Sequence, residues 1–218
     1  MVHKSTSGYA DYGWSPGTTD AHRYLFPTLR RMLEGDKEKI ILDLGCGNGA
    51  VAAMLLEEGY KVYGLDASAS GISIANGAHP GRFFLHDISS DSLPIELRNI
   101  AFDLVISTEV IEHLYAPREY MQRLRGILAD RGGEVVLSTP YHGYLKNLAL
   151  ALMNKLDSHF TVLWDGGHIK FWSRSTLTRL LEEFGFEVTE FRGSGRVPYL
   201  WKSMFLRARL PKQVRNTP

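Results

Sequence analysis

Ile40-Ile41-Leu42-Asp43-Leu44-Gly45-Cys46-Gly47-Asn48-Gly49 is the stretch that decides the fold. An apolar run broken only by Asp43 enters a turn with glycine at every second position. Such a run suits a strand covered by helices on both sheet faces, whereas a two-period alternation would suit a sheet with one wet face. Glycines in the turn allow positive φ and let a ligand approach the main chain, and the free amides of the helix that follows face the same crevice. Outward from this point, strand-length runs recur at Lys39–Leu44, Lys61–Leu65, Arg82–Leu85, Phe102–Ser107, Glu134–Ser138 and Phe186–Phe191. Helical patterns fill the gaps at Thr19–Leu33, Gly49–Glu58, Ser68–Ala75, Pro117–Leu128 and Ser173–Phe184. Ser173 reads as an N-cap, Gly185 as a C′ residue needing left-handed geometry, and Pro117 as a first-turn proline. Strand alternating with helix predicts a parallel sheet, hence a doubly wound α/β core.

The 218 residues are 44% hydrophobic and 22% charged, ordinary for one domain with a single core, which excludes global disorder. Twenty-five basic against twenty-four acidic side chains give a net charge of +1, so binding to an acidic polymer must come from a local patch. The lone Cys46 excludes an intrachain disulfide and any multi-cysteine metal site, and points to a reducing, cytoplasmic setting. Met1–Trp14 lacks the apolar core of a secretory signal. The richest apolar stretch, Leu145–Leu156, is interrupted by Lys146, Asn147, Asn154 and Lys155 and falls short of the ~20 residues that a membrane-spanning helix needs.

Asp66 closes the second strand twenty-one residues after Gly45, where a carboxylate accepts hydrogen bonds from both hydroxyls of a ribose. An adenosine-type cofactor is implied. Gly45, Gly47 and Ala50 loosely satisfy the dinucleotide fingerprint, which keeps a nicotinamide-dependent oxidoreductase in view. Three features weigh against it. Asp43 would repel a pyrophosphate but suits a cationic amino-acid moiety. Leu85-His86-Asp87-Ile88 ends the third strand with a carboxylate for an exocyclic adenine amine, and the fourth strand delivers Thr108 and Glu109 to the carboxyl edge of the sheet. Beyond it, Glu109, Glu112 and His113 stand at i, i+3 and i+4, which on a helical turn would point all three to one side. Crowded carboxylates are unfavourable unless a proton or a metal lies between them, so their use is as general base or divalent-cation site.

Taken together, Asp43-Leu44-Gly45-Cys46-Gly47-Asn48-Gly49, Gly64-Leu65-Asp66, His86-Asp87-Ile88 and Phe102-Asp103-Leu104-Val105 resemble, in order and spacing, the motifs of class I S-adenosylmethionine (SAM)-dependent methyltransferases. The resemblance covers residues 38–191 and implies a Rossmann-like, seven-stranded, mostly parallel sheet with an insertion after the fifth strand. It implies that the loop of Gly45, Cys46, Gly47, Asn48 and Gly49 lies under the methionine part of SAM. Asp66 with Ala67 would take the ribose and Asp87 with Ile88 the adenine, with Thr108 at the end of the fourth strand. Cys46 is then a small loop residue. Glu109-Val110-Ile111-Glu112-His113 is similar to the ubiquinone-pathway O-methyltransferases and to the small-RNA terminal 2′-O-methyltransferases. That likeness implies a divalent cation such as Mg held by Glu109, Glu112 and His113. The segment Gly166-Gly167-His168-Ile169-Lys170-Phe171-Trp172-Ser173 would add His168, with His142 the second choice. The metal would lower the pKa of an acceptor hydroxyl; without it, His113 or His168 takes the proton, with Glu109 the third catalytic candidate.

From Thr139 to Trp172 the α/β rhythm breaks, and so long a segment inside a compact domain is usually functional. Leu145, Leu148, Ala149, Leu152, Met153 and Leu156 fall on one helical face and Lys146, Asn147, Asn154 and Lys155 on the other. The pattern predicts an apolar face turned inward, as a core helix or a lid, with Lys146 and Lys155 in water. Tyr9, Tyr12, Trp14, Tyr24, Tyr141, Tyr144, Trp164 and Trp172 are candidates for lining an acceptor pocket or packing in the core. From Phe191 onward Arg192, Arg196, Lys202, Arg207, Arg209, Lys212 and Arg215 meet no acidic residue in sequence, as in a solvated edge or tail or a surface for an anionic substrate or membrane. The expected organisation is one domain over residues 1–218: a helical cap (1–37), a SAM-binding core (38–138), the insertion (139–172), and a C-terminal helix and strands (173–218). The expected function is SAM-dependent O-methylation of a small hydroxylated or phenolic acceptor, with no extended nucleic acid. RNA terminal 2′-O-methylation, nicotinamide-dependent oxidoreduction and mere sensing of SAM are the alternatives.

Overall fold

The computed structural model describes residues 13–88, 92–129, 132–160, 162–164 and 166–212. Seven strands, β1 (Ile40–Leu44), β2 (Lys61–Asp66), β3 (Phe83–Leu85), β4 (Leu104–Thr108), β5 (Gly133–Pro140), β6 (Glu187–Ser194) and β7 (Ser203–Leu210), form one sheet in the order β3-β2-β1-β4-β5-β7-β6. The first five pair in parallel, and β7 runs antiparallel between β5 and β6. The chain winds outward from β1 to β3 and then returns to lay β4 on the other side of β1. That reversal opens a crevice at the carboxyl ends of β1 and β4, the place where ligands bind in open α/β sheets. The glycine turn after β1 lies at its edge.

Among the described residues seven α-helices accompany the sheet: α1 (His22–Met32), α2 (Ala50–Glu57), α3 (Ala69–Ala78), α4 (Pro117–Leu128), α5 (Tyr144–Leu152), α6 (Leu156–Phe160) and α7 (Arg174–Glu183). Neighbouring strand residues serve opposite faces. Ile41 and Leu104 pack with Leu29 of α1, Leu55 of α2 and Ile72 of α3, while Leu42 and Val105 pack with Leu124 of α4 and Leu181 of α7. This double covering is why the strands read as unbroken apolar runs. Ser173 caps α7 by accepting from Thr176 N at 3.3 Å, Gly185 follows with φ +81°, and Pro117 occupies the first turn of α4. No helix among the described residues is long and apolar enough to cross a membrane.

The expected amphipathic helix needs correction. The inserted segment is not one amphipathic helix with its apolar face inward: α5 stops at Leu152, Asn154 takes φ +52°, and α6 follows. Leu145 and Leu152 are 51% and 79% exposed, whereas Lys146 is 4% exposed. The lysine turns inward because its ammonium donates to the carbonyls of Tyr141 (2.7 Å) and Lys202 (3.4 Å). Of the C-terminal basic run, Arg192 lies on the edge strand β6 and Arg207 and Arg209 on its neighbour β7. Arg207 in β7 pairs with Asp36 and Glu134, Arg209 with Glu187, and Arg192 with Glu190. Tyr9, Tyr12 and Arg215 lie outside the described residues.

Candidate active site

The glycine loop follows from steric need. Gly45 and Gly47 adopt φ +84° and +54°, and a Cβ on either would sit 2.5 Å from Val110 Cγ2 or from the Trp14 ring, respectively. The amides of Gly45 and Cys46 both donate to Leu65 O at the end of β2, and Asn48 Nδ2 donates to Ser15 O and Gly17 O, strapping the N-terminal segment over the loop. Asp66 fixes the loop from below: its Oδ2 accepts from Gly47 N at 2.7 Å and its Oδ1 from Ser68 N at 2.8 Å. Burial raises the pKa of Asp66, an effect those amides oppose. Asp43 is fully buried in β1, and neither of its oxygens has a hydrogen-bond partner among the described residues. Burial and the nearby Asp66 push its carboxyl up to about 8. The same burial pushes the Cys46 thiol up, which suits a loop residue and not a nucleophile.

A cavity of about 780 Å³ opens over these strand ends. Gly45, Cys46, Gly47, Asn48, Asp66, Ala67, Ile88 and Thr108 of the expected cofactor residues line it. Asp43 in β1, Gly49 at the start of α2, and Asp87 in the turn after β3 do not. Val110 and Leu114 continue the wall to His113, and Lys146, His159, Trp164 and His168 surround the far end.

Glu109 departs from the arrangement that its spacing suggested. Only Ile111–His113 forms a helical turn, of the tight 3₁₀ kind, and Glu109 precedes it at φ +55°. Its carboxylate accepts from Ser138 Oγ (2.8 Å) and Ser203 Oγ (3.1 Å). Burial lifts its pKa to about 7 against those two bonds and Lys146. Glu112 is wholly buried: Oε2 accepts from Thr139 Oγ1, while Oε1 has no hydrogen-bond partner among the described residues and lies 3.9 Å from His113 Nε2. Burial first, and then Glu109, drives its carboxyl pKa upward. His113 Nδ1 donates to Gly166 O at 2.9 Å, which leaves Nε2 as the lone-pair nitrogen. The His168 ring lies 5.0 Å from that of His113, and burial holds its pKa down at about 4.

Glu112, His113 and His168 each bring one ligand atom to within 4.8 Å of the others, and this set fits a divalent cation. Glu109 is not part of it. His142 is not either: it sits 5.6 Å from His159 and 5.1 Å from Phe171, ring to ring, away from the triad. Lys146 is the residue that periodicity missed, because a lysine on a helix normally reads as a water-facing one.

A parallel sheet whose switch point carries a glycine loop, a carboxylate at the end of β2 and a cavity running on to a Glu/His cluster define a Rossmann-like fold of the class I methyltransferase kind. A family model described as a methyltransferase domain matches residues 18–190, and the chain belongs to that family. Gly45, Gly47 and Asp66 fit the SAM of that family, and nothing favours the nicotinamide reading. The chain is 29% identical over 167 residues to the ubiquinone biosynthesis O-methyltransferase of Dinoroseobacter shibae, covering 70% of this chain and 62% of that one. A second enzyme of that name, from a Ruegeria species, is 28% identical over 74% of this chain and 66% of its own length. The chain thus spans just under two-thirds of these curated relatives. Among solved structures, magnesium protoporphyrin IX methyltransferase from Synechocystis with bound S-adenosylhomocysteine (SAH) superposes with a TM-score of 0.63 at 20% identity, covering 85% of this chain and 81% of that one. A SAM-dependent methyltransferase from Mesorhizobium loti gives 0.62 at 21% identity over 84% and 96%. Both share the fold.

Proposed function

We propose that the protein is a SAM-dependent methyltransferase that O-methylates a small hydroxylated or phenolic acceptor. The observation that carries this reading is a single cavity with the glycine loop and Asp66 at one end and Glu109, His113 and His168 at the other. SAM supplies a methyl group already activated by its sulfonium, so the protein's part is alignment and proton management. Asp66 would hold the ribose hydroxyls. Asp43 would give up its proton to become a counter-charge for the cationic amino-acid end as that end binds. Glu109, with its pKa near neutrality, is poised to accept the acceptor's proton. A divalent cation on Glu112, His113 and His168 would lower the pKa of that hydroxyl; two imidazoles and one carboxylate suit Mn, Fe or Zn better than Mg.

A small acceptor is preferred over an RNA end because Arg192, Arg207 and Arg209 are engaged by carboxylates, leaving no broad basic face from that run. The test is a labelled-SAM screen over phenols, quinol precursors, sugars and small RNA, alongside calorimetric titration with SAH and NADH. Transfer to phenols or quinols is expected. SAH binding without transfer to any hydroxylated acceptor, with or without added Mn, would overturn the O-methylation reading.

A further inference from the structure

We propose that the acceptor half of the cavity is an anion cradle, so that the molecule methylated there bears a carboxylate or phosphate group held by Lys146, with Arg196 and Lys202 beside it. The proposal rests on the methyltransferase reading of this cavity and adds the charge of its substrate.

Lys146 lines the cavity yet is 4% exposed. Its ammonium donates to two carbonyls, those of Tyr141 and Lys202, which leaves one of its three protons for the cavity. No carboxylate among the described residues lies within ion-pair distance of it. Arg196 and Lys202 line the same end, and neither makes an ion pair among the described residues; the Lys202 ammonium rests 4.9 Å from the centre of the Tyr24 ring. Their neighbours in sequence behave otherwise. Arg192, Arg207 and Arg209 do not line the cavity and all have acidic partners. Arg196 and Lys202, which do line it, have no such partner among the described residues.

Among the described residues, the carboxylates that line the cavity are Asp66 and Glu109, and both are hydrogen-bonded elsewhere. Asp66 belongs to the cofactor end and already accepts two backbone amides. Glu109 is engaged by two serine hydroxyls and is partly protonated near neutrality. Burial, and then the charge of Arg196, depress the proton affinity of Lys146 to about 8 against the opposing pull of Glu109, whose carboxylate makes no ion pair with it. A buried charge without a partner is costly, and an anion entering the cavity would remove that cost. Carboxylates and phosphates share the required chemistry: several acceptor oxygens for one ammonium N–H and a guanidinium fork.

The test is calorimetry on the full chain saturated with SAH, titrated separately with benzoate, inorganic phosphate, 3,4-dihydroxybenzoate and catechol. Benzoate or phosphate should bind, which one telling a carboxylate cradle from a phosphate cradle, and dihydroxybenzoate should bind at least about tenfold tighter than catechol, the effect of one charge-assisted bond. Lys146→Met should weaken the anions by about tenfold or more and leave SAH affinity unchanged. Arg196→Met, at an exposed position, should weaken them by several-fold and covers the case in which Lys146→Met does not fold. Failure of both benzoate and phosphate to bind, equal binding of dihydroxybenzoate and catechol, or unchanged anion affinity in either soluble variant would overturn the cradle. If SAH does not bind, the cofactor reading fails instead, and the same anion titrations on the ligand-free protein still decide this proposal.

Discussion

Replacing Asp43 by Asn isolates the carboxylate buried beneath the glycine loop. In the folded chain its carboxyl holds its proton up to about pH 8, against an ordinary value of 3.8. Between those values the folded state binds more protons than the unfolded state, so this group's contribution to stability falls as pH rises through the window. At about 1.4 kcal/mol for each tenfold in the ionisation constant, the loss amounts to roughly 5 kcal/mol from pH 4 to pH 8. Asparagine has the same shape and no proton to release there. Asp43→Asn should therefore match the parent near pH 4 and exceed it progressively, by as much as roughly 5 kcal/mol at pH 8. Urea unfolding of both proteins without ligand, at half-unit steps of pH, measures the gap. A second consequence concerns binding. The ammonium of SAH above this loop would draw the proton off Asp43, so binding at pH 7 should release protons from the parent and fewer from the variant. Calorimetry in buffers of different ionisation heat reads that number. Parallel stability curves from pH 4 to pH 8 would refute the reasoning, since they would mean that Asp43 is already ionised in the folded chain.

Asp66→Ala should cost SAH binding about 2–4 kcal/mol, a weakening of roughly 30- to 1000-fold, and should also lower the melting temperature because the amides of Gly47 and Ser68 lose their acceptor; unchanged SAH affinity would reject the ribose assignment. Glu112→Gln should abolish binding of Mn or Zn while Glu109→Gln leaves it within about threefold, as read by metal titration. Equal loss in both variants would restore Glu109 to the ligand set. Gly45→Ala should destabilise the fold by about 1–3 kcal/mol in urea unfolding, since it adds a left-handed φ to a clash with Val110; a variant as stable as the parent would show that the loop can rearrange.

What the sequence reveals of this site depends on how far the placing forces reach along the chain. β1, its glycine turn and Asp66 carry their own local signals, an apolar run, glycines at positive φ and a carboxylate bonded to the Gly47 amide, and Ser173 and Pro117 act within a single helical turn; all are legible. Strand β7 is not, because its partner is Gly133–Pro140 far back in the chain, and Arg207 interrupts its apolar run for the sake of Asp36 and Glu134. Glu109 shows the same effect within the site. Helical spacing would place it with Glu112 and His113, but Ser138 of β5 and Ser203 of β7 hold its main chain and carboxylate elsewhere. For α5 the spacing was right and the direction wrong. An amphipathic pattern distinguishes two faces, and choosing which lies inside assumes that inside means apolar core. Here the inside offers hydrogen-bond acceptors: Lys146 finds the carbonyls of Tyr141 and Lys202 there, and Leu145 and Leu152 are left facing out. The lysine was misread because the two carbonyls that hold it come from Tyr141 and Lys202, which helical spacing alone does not place beside it.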